Sequence, residues 1–268
     1  MCKLKSHRWR GLVGLLVLAV LLGANSASAL TAKEIMERTE TWNKPDDETG
    51  PLTIVLINQR GKERQREMMR YVQTDANKKD KSFLEFLKPA DVKGTRFLTH
   101  EHVGRDDDRW MYLPALRKIR RITASNNTDN FMGTDLTFED TRSEHLDSHT
   151  YTLVREEQLD GRDAYVIEAV PSTPQEKKES GYSKRHIWVD KATFLMMQRQ
   201  FWNKKGEHIK TSKRSDLQQL APDIWAYNRF DVEHVKRRHR SVFIFGERKI
   251  NTALQDSLFS QRSLTRGR

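Results

Sequence analysis

Two periodicities divide the chain. Over TAKEIMERTETW, residues 31–42, Ile35, Met36, Thr39 and Trp42 share one helical face, and Thr31 and Glu34 stand at capping-box spacing. That pattern predicts one amphipathic helix. PDDETG at 45–50 ends it. Beyond residue 50 the pattern shortens to strand length. PLTIVLINQRGKERQREMMRYVQT predicts two long strands turning at Arg60-Gly61, and SFLEFLKP, TRFLTHEHV and RWMYLP predict three shorter ones. HTYTLVREEQLDGRDAYVIEAVP reads as a hairpin turning at Asp160-Gly161, a strong two-residue turn signal. KRHIWVDKATFLMMQRQFWNKKGEHIKTSKRSDL predicts three strands with turns near Asp190–Ala192 and Lys204–Gly206. IWAYNRFDVEHV and RSVFIFGERKI supply the last two. Hairpins in series without intervening helices predict an antiparallel meander, not a doubly wound parallel sheet. Residues 123–135 and the charged stretch PQEKKESG at 174–181 carry no regular pattern, and no long repeat recurs.

The strands differ in what they place on each face. In SFLEFL and RWMYL large apolar groups occupy both faces, with Trp110 and Tyr112 on one side and Met111 and Leu113 on the other. WMYLP therefore reads as a central strand. GKERQREMMRYV is polar over most of its length, which predicts one solvated face or a sheet edge. A strongly curved sheet with a helix-covered concave face accommodates both kinds of strand, and the fold class is α+β.

Compartment changes how the charge is read. MCKLKSHRWR carries Lys3, Lys5, Arg8 and Arg10 and no acid, GLVGLLVLAVLLGA is an apolar run of secretory length, and Ala27-Ser28-Ala29 has the small-residue cleavage pattern. We expect a signal peptide over 1–29, cleaved after Ala29, and a single exported domain over 30–268. The apolar run is short for a membrane anchor. Cys2, the one cysteine, leaves with the signal, so the exported chain has neither disulfide nor thiol chemistry. Loss of the four leader cations lowers the formal charge from +11 to +7. On an exported protein that balance meets lipid headgroups and acidic envelope polymers; nucleic acid is not an expected partner.

Candidate chemistry is sparse. The sequence has no nucleophile elbow, no Gly-rich phosphate loop and no H-E-x-x-H, and no enzyme activity is expected. Glu139 and Asp140 are adjacent, so on a strand they would point to opposite sides. His100 and His102 share a strand face, with His145 and His149 farther on, but a structural metal site needs three or four ligands, and neither metal nor cofactor is expected. Around Arg117, Lys118, Arg120 and Arg121, the residues Leu116, Ile119 and Ile122 recur every third position. That spacing suits a bulged strand or a short helical turn equally. A solvated face is the simpler reading of those cations, and a headgroup or partner contact the functional one.

Four stretches carry a family resemblance: RWMYLPALRKIRRI at 109–122, NFMGTDLTFEDT at 130–141, GYSKRHIWVDKATFLMMQRQFWNKKGEHIKT at 181–211 and NTALQDSLFSQRSL at 251–264. Together, in this order, they resemble the LolA-like outer-membrane lipoprotein-sorting proteins, in the branch associated with lipid or RND-type exporters of the inner membrane. The resemblance implies an unclosed β-barrel: a curved antiparallel sheet of about ten or more strands, as the strand patterns count, wrapped over a few helices. It implies a periplasmic carrier that shelters lipid or lipoprotein acyl chains on their way across the envelope, toward the outer membrane. It implies transient membrane contact, with an exporter as partner, and a monomer is expected. A non-carrier accessory that docks to the exporter is the alternative. For the apolar interior we expect Phe86, Phe97, Trp110, Tyr112, Met197 and Phe201, with Phe131 and Met132 in a loop beside the cavity mouth.

Overall fold

The computed structural model describes Met1, residues 29–41 and residues 44–266. The expected signal segment falls almost wholly outside the described residues, as does Trp42. Helix α1 (Ala32–Thr41) begins with the expected capping box: the Glu34 carboxylate accepts from the Thr31 amide at 2.7 Å, and the Thr31 hydroxyl accepts from the Glu34 amide at 3.2 Å. Among the described residues thirteen strands then form one continuous antiparallel path, with a fourteenth beside it. They are β1 (Asp47–Ile57), β2 (Glu63–Thr74), β3 (Asp80–Lys88), β4 (Arg96–His100), β5 (Asp108–Leu113), β6 (Lys118–Arg121), β7 (His149–Leu159), β8 (Arg162–Pro171), β9 (Tyr182–Asp190), β10 (Met196–Asn203), β11 (His208–Ala221), β12 (Ile224–His234), β13 (His239–Phe245) and β14 (Lys249–Ile250). Two further short helices are α2 (Pro174–Glu179) and α3 (Gln261–Arg266).

The spatial order is β6-β5-β4-β3-β2-β1-β13-β12-β11-β10-β9-β8-β7, with β14 on β1. β6 and β7 are the two ends of the path, and among the described residues no pairing joins them, so the sheet is an unclosed barrel. These edges are also consecutive in the chain. Residues 122–148 leave one edge and re-enter at the other, crossing the inside of the sheet as a series of 3-10 turns.

That crossing and α1 define the inner face. Leu52, Ile54 and Leu56 of β1, Met68 of β2, Phe86, Phe97, Val232 and Phe243 pack there against Ile122, Phe131 and Leu136 of the crossing segment. α1 buries Ile35 and Met36 against Ile167, Ala169, Ile187 and Val189 of β8 and β9. On the outer face the C-terminal segment lays Leu258, Phe259 and Leu264 over Tyr71, Phe83 and Leu98. The apolar residues on both faces of β3 and β5 thus serve two separate cores.

Several local expectations change. Of the two readings of the polar β2, the edge fails, because β2 lies between β3 and β1; its outward Met69 and Tyr71 pack with the C-terminal segment, and its inward Met68 is 1% exposed. β5 is next to the edge, because the short β6 follows a 3-10 turn (Pro114–Leu116) and Arg117 in the left-handed region at φ 49°. Strand β1 already begins inside PDDETG. Its Gly50 and Pro51 sit where β13 gives way to β14, and there Gly246 approaches so closely that a Cβ on it would lie 2.7 Å from Pro51 Cγ. The stretch read as irregular at 174–181 starts with α2. Thr173 caps it, accepting from the Glu176 amide at 3.1 Å, and Pro174 stands at the first helical position, where its missing N–H costs nothing.

Candidate functional site: an apolar hollow behind the crossing segment

A hollow of about 470 Å³ opens on the inner face. Its walls are Leu52 and Ile54 of β1, Met68 and Leu84 of β2 and β3, Phe230, Phe243 and Phe245 of β12 and β13, and Phe131 and Leu136 of the crossing segment. This lies within the size range of pockets that take small organic ligands. A second hollow, about 580 Å³, lies between residues 101–107 and 143–148, but Glu101, Asp106, Asp107 and Glu144 make it polar.

The apolar hollow has charged groups in its wall. Glu40, at the end of α1, is half-buried at the wall of the hollow. Burial pushes its carboxyl up to about 7, with Glu144 acting in the same direction and Lys44 opposing. Arg214 of β11 lies over the Phe230 ring, 4.9 Å from its centroid, and donates to the Met196 carbonyl at 3.3 Å. Burial, assisted by Arg199, brings its guanidinium down to about 9, so it stays charged at neutral pH. Opposite, Glu48 accepts from Arg70 and has Arg248 Nε at 3.9 Å.

Buried charge pairs hold the crossing segment in place. The Asp140 carboxylate takes Lys210, and Tyr182 donates to Asp140 Oδ1 at 3.0 Å. Glu144 accepts from Arg185 at 2.7 Å and from Tyr151 at 3.0 Å. Burial raises the Glu144 carboxyl, but Arg185, His149 and Arg199 outweigh it and hold it at about 2. Glu139 accepts the Ser180 hydroxyl at 2.6 Å and the Gly181 amide at 2.7 Å. Asp135 accepts from Ser241 and His239, each at 2.7 Å. A 3-10 turn (Glu139–Thr141), not a strand, places both Glu139 and Asp140 inward. Breaking any such pair leaves a buried charge alone, so the segment is locked to β9, β11 and β13.

The residues expected at the interior separate into four places. Phe86, Phe97, Phe131 and Met132 come together: the Phe97 and Phe131 centroids are 4.9 Å apart and those of Phe86 and Phe97 6.2 Å. Of these, only Phe131 lines the hollow. Trp110 and Tyr112 face outward beneath the C-terminal segment, and Met111 between them is the one that packs on the inner core. Met197 packs with Val166 and Trp188, while Met196 lines the hollow, because a bulge between Met196 and Gln198 shifts the register. Phe201 is fully buried as the platform for Lys210, whose Nζ lies 4.5 Å from its centroid. Arg117, Lys118, Arg120 and Arg121 occupy or flank the edge strand β6, with Arg121 paired to Asp108 at 2.7 Å. Cations there discourage edge-to-edge pairing.

Of the histidines weighed for a metal, His100 meets the Phe259 carbonyl at 2.7 Å and His102 meets Asp108 at 2.9 Å. Among the described residues no three ligating side chains gather as a metal site would require, and no helix is long and apolar enough to cross a membrane. Sequence reasoning missed Glu40, Arg214, Glu144 and Lys210. Glu40 alone left a trace, since it stands four residues after Met36 on the buried stripe of α1.

A family model described as "Uncharacterized protein" matches residues 78–266. No curated protein matches the chain. An outer membrane lipoprotein-sorting protein domain from Vibrio parahaemolyticus is similar at 28% identity and TM-score 0.79, covering 88% of this chain and 97% of that one. A DUF1329 family protein from Desulfovibrio piger is similar at 28% and 0.79, over 87% and 97%. A LolA superfamily protein from Nitrosomonas europaea shares the fold at 20% and 0.67, over 87% and 99%. With an open sheet of fourteen strands among the described residues and an inner apolar hollow, the chain belongs to the family of that model, has the LolA-like fold and is similar to the outer-membrane lipoprotein-sorting and DUF1329 proteins.

Proposed function

We propose that the protein is a periplasmic carrier that shelters acyl chains of a lipid or lipoprotein and moves them across the envelope toward the outer membrane. The observation that carries this reading is the apolar hollow, walled on one side by the sheet and on the other by a segment tethered to it. Exposing an acyl chain to water costs about 0.8 kcal/mol per methylene, so a chain of about fifteen costs roughly 12 kcal/mol. A hollow of this kind removes much of that barrier and needs no catalytic group. The similarity to a lipoprotein-sorting protein domain supports the same reading. An inner-membrane exporter would load the carrier.

Transfer between vesicles tests the proposal. Donor vesicles made from a Gram-negative envelope lipid extract, doped with a self-quenched fluorescent lipid, are mixed with unlabelled acceptors and substoichiometric protein. Transfer should accelerate in proportion to protein concentration. A rate equal to the spontaneous one at every concentration rejects the carrier and favours the docking accessory.

A further inference from the structure

The hollow has an electrostatic preference that its apolar walls do not require. Arg214 has no carboxylate within ion-pair distance among the described residues, and its one hydrogen bond there, to the Met196 carbonyl, leaves most of the guanidinium donors unused. Arg248 lines the same hollow, and its Nε has no hydrogen-bond acceptor, the nearest carboxylate oxygen, Glu48 Oε1, lying 3.9 Å away. Arg214 and Arg248 stand on β11 and beside β14, whereas Leu52, Ile54, Phe131 and Leu136 are the apolar lining. Three guanidiniums, Arg70, Arg214 and Arg248, line the hollow with two carboxylates, Glu40 and Glu48, and Glu48 is already taken by Arg70. Arg214 is half-buried, with Glu40 the nearest carboxylate to act on it, and a cation in the wall of an apolar hollow is unfavourable unless a counter-charge reaches it.

Resting on the carrier reading above, the geometry points to an acyl lipid with a single negative charge as the cargo, its headgroup seated on Arg214 with Arg248 on the same hollow and its chain along Leu52, Ile54 and Phe131. One anionic headgroup satisfies the unpaired guanidinium and offers an oxygen acceptor to Arg248 Nε. The guanidinium stays protonated through the physiological range, because burial lowers it only to about 9. A neutral lipid would leave the Arg214 guanidinium without a counter-charge.

The test uses the fluorescent fatty acid cis-parinaric acid and its uncharged methyl ester, titrated into delipidated protein. The wild type should bind the acid at least ten-fold more tightly than the ester. Arg214→Gln should erase that preference, and Arg214→Lys should keep part of it. Equal affinity of the wild type for acid and ester overturns the inference without needing any variant to fold. Failure of both probes to bind rejects the carrier reading itself. Displacement of bound probe by palmitate assigns a fatty acid, and displacement by phosphatidylglycerol vesicles assigns a phospholipid headgroup; displacement by neither overturns the proposal.

Discussion

Glu40→Gln should make the protein more stable at alkaline pH, although it removes a charged side chain and adds no contact. The Glu40 carboxyl is raised from 4.5 to about 7, first by burial and then by Glu144. Between those values the folded state holds a proton that the unfolded state releases. Stability from the protonated form is therefore fully present below about 4.5 and is lost as pH rises through about 7. At about 1.4 kcal/mol per pH unit, the shift corresponds to about 3 kcal/mol by pH 8, an upper figure because the carboxyl borders the hollow. Glutamine keeps the shape of the protonated acid and cannot ionise. For a chain of this length about 3 kcal/mol moves the melting temperature by roughly 6–12 °C. Thermal unfolding of delipidated wild type and variant, followed by circular dichroism at pH 8 and pH 5, measures it. The variant should melt higher at pH 8, and most of the gap should close at pH 5. Comparing the two proteins cancels the other titrations, such as those of Glu101 and Glu139, whose carboxyls burial also raises. A variant that melts at or below the wild type at pH 8 refutes the reasoning.

Other perturbations separate the tether from the hollow. Glu144→Gln leaves Arg185 buried without its counter-charge and should cost about 3–5 kcal/mol in urea unfolding at pH 7. In the wild type the Glu144 contribution is present above about 4.5 and lost as pH falls toward about 2, so acid unfolding should release the crossing segment. Phe131→Ala removes a ring 4.9 Å from Phe97 and 5.8 Å from Phe138 and should lower stability by about 3–5 kcal/mol, read from the denaturant midpoint. Leu136→Trp fills the hollow from the crossing segment. It should abolish acyl-probe binding while the far-ultraviolet dichroism stays native, at an overpacking cost of about 1–3 kcal/mol.

The hairpin order was legible because each turn is written locally. Asp160 and Gly161 both have positive φ, at 51° and 76°, as a two-residue turn demands. Facing was harder to read, because it depends on what covers a strand from far away in sequence. Trp110 and Tyr112 have the size and alternation of cavity residues, yet Leu258, Phe259 and Leu264 cover that side. At Met196-Met197 a single bulge exchanges the two side chains, and nothing in FLMMQRQFW marks it. Arg214 stands among Lys210, Lys213 and Asp216 in a stretch that reads as an ordinary solvated strand. Only its pairing opposite Phe230, set by the β11–β12 register, takes it inward. The crossing segment lacks periodicity because polar groups on the sheet, Lys210, Arg185 and Ser241, hold it, and its order depends on partners remote in the chain.

Native mass spectrometry of the protein released gently from the envelope, with parallel lipid extraction, tests the central claim most directly. The account predicts a population heavier than the bare chain by the mass of an acyl lipid, recovered as that lipid in the organic phase and absent from Leu136→Trp. Bare-chain mass in repeated preparations, with no lipid in the extract, would contradict it.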